Sequence, residues 1–433
     1  MISNDHIISE AILSSTSVAG YEIDIKANII EATFFENVLS PFVHGTIVLV
    51  DDFNLLDTMV IQGTESVRIT IQNAETKENV SVKTFIVSNI DATVRLTDNS
   101  DGLLLHLVED FMFASQLSKI SKSYSGKLDQ IITNILDTEL RTGLKFWNFE
   151  ETSQGVRKIV VPYMNPLEAC SWLIRRASTK SGLPYYLYSS LYDANKIRIS
   201  SVNLCLRSPS INQNLPANYT GAYSSSLNDL SRKVTEIRDF KPINNENTLG
   251  MIERAGFGSS YNDIDLNKGV NKKTHFSMRN IIDELIVDGV ISSSYVSNAF
   301  DPNLNVLGKL ADEYDAREIH QINIGRTYKQ FYNYHENVEK NKMKSEIVKT
   351  LLNRNIINFS MNSYLFHNTK ISVANKLRFL FPNNELSKDK TTISNSIDKR
   401  KSGEYLLLAL RHDFNKSENL TSGTAVKVDN IRT

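Results

Sequence analysis

The sequence predicts a mainly β protein carrying α+β accessory units, and three observations support that expectation. Apolar and polar residues alternate through most of residues 1–108 and 351–433, the period of two that places one set on each face of a strand. Two stretches between them switch to the spacing of an amphipathic helix. The strand series at the two ends of the chain also run in a similar order.

In the first series, Ile23 to Phe35 is rich in Ile, Ala and Phe. Val43, Gly45, Ile47 and Leu49 alternate with His44, Thr46 and Val48. Val67, Ile69 and Ile71 follow the Gly63-Thr64 turn signal, and Val80 to Ile90 and Leu103 to Val108 complete the series. Strands separated by Gly, Asn and Asp clusters suggest a closed barrel or a sandwich rather than a βαβ array. After Ser125 the pattern changes, with Leu128, Ile131, Ile132, Ile135, Leu136 and Leu140 at helical spacing. A second helix has a sharper start: Asn165 as N-cap, Pro166 at the first position and Glu168 at the third. Leu167, Cys170, Ile174 and Ala177 line its face, and Gly182-Leu183-Pro184 is its stop. Tyr185 to Tyr188 and Lys196 to Val202 read as strands.

Residues 206–230, rich in Ser and Asn, read as a long connection, and Lys233 to Phe240 as a short strand. The region 241–350 holds Asn-rich loops, Ile281 to Ile286 with an ambiguous period, and a charged helix around Met343, Ile347 and Leu351. Strand patterns return with Ile357, Phe359 and Met361, with Ile371 and Val373, and with Leu377, Phe379 and Phe381. Beyond a polar loop at 383–401 come Tyr405 to Phe414 and Ala425 to Val428. The series Val67–Ile71, Val82–Ile90, Leu103–Val108 is echoed by Leu377–Phe381, Tyr405–His412, Ala425–Val428. The pattern leaves two related barrels and two unrelated β-domains both open. The expected domains are 1–108, an α+β unit at 109–206, a second β-domain from 207–245 and 351–433, and an inserted unit at 246–350.

Composition excludes several classes. With 48 Lys+Arg against 49 Asp+Glu, the net charge of -1 lacks the basic excess of a general polyanion binder. No apolar run approaches the ~20 residues of a membrane-spanning helix, and Met1-Ile2-Ser3-Asn4-Asp5-His6 lacks a signal-peptide pattern. Two cysteines, Cys170 and Cys205, could pair, but so low a count points to a reducing compartment and favours buried free thiols. The expectation is a soluble chain that is intracellular at synthesis.

Motifs for chemistry are scarce. The histidines at 6, 44, 106, 275, 320, 335, 367 and 412 form no metal-ligand spacing. His335-Glu336 reads as surface, and His44 and His412 as ordinary strand residues. Gly256-Phe257-Gly258 lacks a third glycine, since Tyr261 stands at that position. No phosphate loop or nucleophile elbow is present. Asp51-Asp52 and Asp110 read as turn carboxylates, the sequons at Asn218 and Asn419 as chance, and Lys388 to Lys401 as a solvated loop. Tyr185-Tyr186-Leu187-Tyr188 fits a half-buried strand as well as a stacking platform. No catalytic, cofactor-binding or metal-ligating residue is assigned, and the expectation is a non-enzyme without cofactors.

The segment Ile29 to Asp52, with its Gly45-interrupted strand ending in Asp51-Asp52, resembles the first barrel of baseplate hub proteins from contractile-tailed bacteriophages. Gly63-Thr64-Glu65 follows ahead of the next strand. Ser402 to Phe414 is similar to the strand closing the second barrel of that family. The middle resembles the family only in layout, and the specific motifs cover a small part of the chain. The resemblance implies two tail-tube-like antiparallel β-barrels per chain plus two accessory domains, and a homotrimer closing into a pseudo-sixfold ring. That ring joins the tail tube to the central spike and passes the tape measure and DNA without sequence-specific binding. Its implied partners are the central spike, tail tube, tape measure and baseplate wedge proteins, without membrane insertion. Its implied location is the virion tail baseplate, after synthesis and assembly in the host bacterial cytoplasm. Strand Val43 to Val50 and the loop after it are the expected inter-subunit contact. Two alternatives stand beside this reading. One is a hexameric tube-initiator or distal tail protein; the other is a peptidoglycan-acting or glycan-binding tail component using residues 185–192 and carboxylates such as Asp51 or Glu150.

Overall fold

Alternating apolar residues build most of the molecule. The structure is a computed structural model, and it describes residues 6–140, 157–218, 236–290, 304–323, 344–362, 370–381 and 398–428, short interruptions aside. The N-terminal strands are β1 (His6–Ser14), β2 (Glu22–Asp24), β3 (Ile29–Asn37), β4 (His44–Asp51), β5 (Ser66–Asn73), β6 (Asn79–Thr97) and β7 (Ser100–Glu109), with a short helix α1 (Leu55–Thr58). The first accessory region contains α2 (Asp110–Gln116), β8 (Ile120–Gly126), α3 (Leu128–Ile135), β9 (Arg157–Met164), α4 (Pro166–Ile174), β10 (Tyr185–Ser189), β11 (Ile197–Ser201) and α5 (Val202–Arg207). After β12 (Ala217–Asn218) and β13 (Ile237–Asn245) come α6 (Thr248–Glu253), β14 (Gly258–Asp265), β15 (Val270–Ser277) and α7 (Met278–Val287). The hairpin β16 (Asn305–Val306) and β17 (Lys309–Leu310) precedes β18 (Arg317–Asn323). The chain returns to strands with β19 (Asn355–Asn362), β20 (Lys376–Leu380), β21 (Gly403–Asn415) and β22 (Asn419–Lys427). The fold is mainly β with α+β accessory regions, as the alternation predicts.

Both ends of the chain enter one sheet, in the order β13-β19-β22-β21-β3-β4-β7-β6-β5-β1-β2, with β20 beside β21 and β12 beside β20. Within it a five-strand unit occurs twice. The order β3-β4-β7-β6-β5 is repeated as β13-β19-β22-β21-β20, and all of these neighbours are antiparallel. The repeat extends to the irregularities. Against β7, β6 shifts register between Val87 and Asn89; against β22, β21 shifts between Leu407 and Ala409. Against β4, β3 shifts between Ile29 and Glu31; against β19, β13 shifts between Ile237 and Asp239. A bulge bends its strand and increases local twist, so matching bulges give the two units matching curvature. The echo between chain ends is therefore a duplicated unit. The two copies are fused through β3 and β21, where Asn37 to Glu31 pair with Ala409 to Asn415. Among the described residues neither copy closes on itself.

Phe34 of β3 lies 5.4 Å from Phe85 of β6 and 6.0 Å from Phe414 of β21, ring to ring, so one side chain binds both copies. Such pairs contribute ~0.5–1.5 kcal/mol beyond their buried area. The second copy has its own aromatic centre, with Phe379 5.1 Å from Phe359 and 5.2 Å from Tyr405. A separate buried cluster runs from Phe111 to Ile199 in the first accessory region.

The accessory regions share a motif as well. In α3, Leu128, Ile131, Ile132 and Ile135 are buried; in α7, Met278, Ile281, Ile282 and Leu285 are buried at the same spacing. Each helix follows directly on a strand whose residues are mostly exposed, β8 or β15. The ambiguous Ile281 to Ile286 segment is thus the core face of a helix. At α4 the expected capping is present, with the Glu168 carboxylate accepting from the Asn165 N–H at 3.4 Å. That helix stops at Ile174, ahead of Gly182-Leu183-Pro184. Ile23 to Phe35 is not one strand: a 3-10 turn, Lys26–Asn28, divides β2 from β3. Ile371 and Val373 lie in a turn before β20, and Ile347 is buried. Met343, Leu351 and most of the polar loop 383–401 lie outside the described residues.

Gly45 interrupts β4 for a steric reason. A Cβ there would stand 2.6 Å from the Thr33 carbonyl oxygen and 2.7 Å from Phe34 Cδ1. We expect Gly45→Ala to destabilise the chain by about 1–3 kcal/mol, read as a lower midpoint in urea with an unchanged slope. A midpoint equal to the parent's would show that β3 and β4 can separate without cost.

Candidate assembly site

Two edges of the sheet are candidates for joining another chain. The first is the distal half of β6. Its proximal half pairs with β5 as far as Ile86 opposite Ser66. One further bond, from the Val87 N–H to the Glu65 carbonyl at 2.8 Å, ends the ladder. The chain ahead of β5 is turned aside there by Gly63, at φ +90°. The buried Glu65 carboxylate holds that turn, accepting N–H groups from Gln62, Gly63 and Thr64 at 2.8 to 3.0 Å. Residues 88–97 then continue with β7 as their only strand partner among the described residues. The second edge is β13, the terminal strand of the sheet order, which pairs with β19. Its outer surface carries Ile243, 53 % exposed, next to Pro242 at a second register shift. Proline is tolerated in sheets at such edges and bulges.

Behind the sheet, a polar latch fixes the first accessory region. The Glu36 carboxylate, fully buried in β3, accepts N–H groups from Leu191 at 2.7 Å and Val373 at 3.1 Å. It also accepts the hydroxyls of Ser190 and Ser372 at 3.3 and 3.2 Å, and stands 3.3 Å from His412 Nε2 in β21. Burial alone would push this carboxyl up, but His412 and the two backbone donors outweigh it and hold Glu36 below the usual value. A second buried carboxylate, Glu109, pairs with Lys83 and accepts from the Val43 N–H at 2.6 Å and Ser189 Oγ at 3.3 Å. Desolvation dominates here and raises Glu109 despite Lys83. Ser81 Oγ donates to the Leu191 carbonyl at 2.6 Å, and Tyr192 OH lies 3.2 Å from His6 Nδ1. The segment Ser189–Tyr192 is thus bonded to β1, β3, β6 and β7.

The sequence-singled residues fall into structural roles. His412 is buried against Glu36, while exposed His44 stacks on Phe35 at 5.1 Å. Asp51 is buried and takes the Leu55 N–H on both oxygens, at 3.0 and 2.9 Å, capping α1. Asp110 bonds the Phe111 N–H at 2.7 Å. Tyr185 and Tyr188 are buried, so their strand offers no open aromatic platform there. Cys170 and Cys205 are buried free thiols, and burial pushes Cys205 up to about 12. Strand β4, the expected inter-subunit contact, is paired with β3 over residues 44–49 and with β7 over residues 44–51. Asp52, Glu150, Gly256, His335 and His367 lie outside the described residues. Among the described residues no cluster of His, Cys, Asp and Glu is placed to hold a metal. No helix among them is long and apolar enough to cross a membrane.

No family model matches the sequence, and no curated protein matches it. Solved structures do match. The tail protein from Neisseria meningitidis MC58 superposes with a TM-score of 0.58 at 10% identity, covering 97% of this chain and 98% of that one. The fold is that of a tail protein. The 43 kDa tail protein of prophage MuSo2 from Shewanella oneidensis gives 0.52 at 11% identity, over 98% and 99% of the two chains. Both likenesses span whole chains, so the tail-protein fold includes both strand units and both accessory regions.

Proposed function

We propose that this chain is a structural baseplate hub protein of a contractile tail. Three copies form a pseudo-sixfold ring that joins the tail tube to the central spike. Tape measure and DNA pass through its lumen, without sequence-specific contact and without catalysis. The hub's partners are then the spike, tube, tape measure and baseplate wedge proteins, and its place is the virion tail after assembly in the host cytoplasm. The observation that carries this reading is the duplicated five-strand unit with matching bulges. A ring of three chains presents six equivalent positions only if each chain supplies two equivalent units. The whole-chain likeness to tail proteins supports the same reading. A net charge of -1 suits a lumen through which DNA moves, since strong phosphate contacts would retard it.

Light scattering across a dilution series tests the stoichiometry. We expect a stable species near three times 49.0 kDa, with a toroidal outline in negative stain. A hexamer would replace the hub reading with that of a tube initiator. A monomer at every concentration, unchanged by adding the spike, would remove the ring.

A further inference from the structure

We infer that copies of this chain join by strand pairing between the distal half of β6 in one and β13 in the next, in the register that fuses the two units within a chain. The inference rests on the ring reading and specifies its interface. In the C-terminal unit, the proximal part of β21 pairs with β20 and its distal part, from Ala409 onward, pairs with β3. In the N-terminal unit, the proximal part of β6 pairs with β5, and among the described residues the distal part meets no equivalent of β3. By position in the repeat, that missing strand is the counterpart of β3, which is β13. The latter stands at the end of the sheet, where β3 has β21. Each chain thus carries both halves of a junction that it already makes once internally. Its own two halves lie at separate places in the sheet order, so a second copy is the partner that completes them.

The register follows from the ladder pairs. Ile90 opposes Leu105 as Leu410 opposes Gly423; three residues back along β7 and β22, Val94 opposes Gly102 as Asp413 opposes Leu420, β6 carrying one extra residue. Thr33 opposes Thr46 as Lys241 opposes Asn358. Within the chain Asp413 opposes Thr33, their side chains hydrogen-bonded at 2.7 Å. Between chains, Val94 therefore opposes Lys241. On the other side of the extra bulge at 91–94, Asp91 stands where Arg411 does, which opposes Phe35. The counterpart of Phe35 beyond the shift at Pro242 is Asn244. In this register no like charges face each other, the condition a stable cross-strand pair requires. Backbone pairing would also cover strand edges of the kind that otherwise invite uncontrolled association.

Disulfide trapping tests the register. Opposed residues of antiparallel strands lie within the Cα separation a disulfide accepts, roughly 4.4–6.8 Å. The double variant Val94→Cys/Lys241→Cys should oxidise to covalent species of up to three chains, while either single variant stays at one chain. Asp91→Cys/Asn244→Cys provides a second pair across the bulge, should the first fail to fold. The unsubstituted chain, with buried Cys170 and Cys205, sets the background. A native trimer that yields no interchain disulfide with either folded pair would overturn the β6–β13 junction and leave the ring intact. A disulfide confined within one chain would overturn it too. A chain that is monomeric before oxidation would remove the ring reading and this inference together.

Discussion

Glu36→Ala should destabilise the single chain by about 3–5 kcal/mol, the range for removing one partner from a buried charge network. The argument rests on how much this carboxylate satisfies. It accepts the N–H groups of Leu191 and Val373 and two serine hydroxyls, and it faces His412, all without solvent access. Alanine would strand each of those donors, and unpaired buried donors cost more than the bonds themselves contribute. The loss would be structural as well as energetic, because the donors come from the accessory segment at 189–192, the turn before β20 and strand β21. Urea denaturation would show the reduced midpoint, and loss of protection at the Leu191 and Val373 amides would locate it. The same carboxylate sets an acid limb. Its folded pKa is lowered below 4.5, so its stabilisation is complete above that value and is lost as pH falls through the lower folded value. Glu36→Gln should flatten this limb, and an acid limb unchanged in that variant would assign the effect to other carboxylates.

The residues of this latch had a signal in the sequence that period-two reading passes over. Glu36 follows Ala32 and Phe34 on the inward face of β3, and His412 lies between Leu410 and Phe414 on that of β21. Lys83 and Glu109 likewise continue the inward series of Phe85 and Val87 and of Leu103, Leu105 and Leu107. A charge in phase with an apolar face must be paired or neutral, and that phase marks all four. Strand existence and the α4 cap were legible because they depend on local sequence. The bulges were not, since a register shift is defined by the partner strand and leaves no mark on its own segment. The duplication was visible only as similar order, because matching geometry at Val87–Asn89 and Leu407–Ala409 is carried by different residues. The extension of β6 to Thr97 escaped for the same reason, whereas the division at Lys26–Asn28 is local: Asp24 Oδ1 accepts the Lys26 N–H at 3.0 Å, a turn signal that period-two reading passes over. The edges proposed for assembly could not be read at all: β4 alternates clearly, yet like β3, β7, β19 and β22 it has a neighbour on each side in the sheet, a fact set by partner strands rather than by its own residues.

Ile243→Lys should leave the single chain as stable as the parent and raise the concentration at which the assembly half-dissociates by at least tenfold. The two effects separate because Ile243 is 53 % exposed in the single chain, and surface substitutions of that kind change stability by about 0.5 kcal/mol or less. In the assembly the same residue sits in β13 where the next chain's β6 would lie. A lysine on a strand edge is a recognised way to prevent edge-to-edge pairing. About 1.4 kcal/mol per junction is enough for a tenfold change. A closed ring repeats the junction at every interface, so the measured shift should exceed that of a single contact. Sedimentation velocity would read the assembly and thermal melting the fold, with Ile243→Val as the control that keeps both. If Ile243→Lys lowered the melting point of the dissociated chain, Ile243 would instead belong to the fold. If the assembly were unaffected, β13 would not be its edge. The contrast with Glu36→Ala is the decisive feature: one substitution acts on the junction inside the chain, the other on its repeat between chains. If the repeat is real, the two junctions share a geometry and differ only in whether covalent connection enforces it.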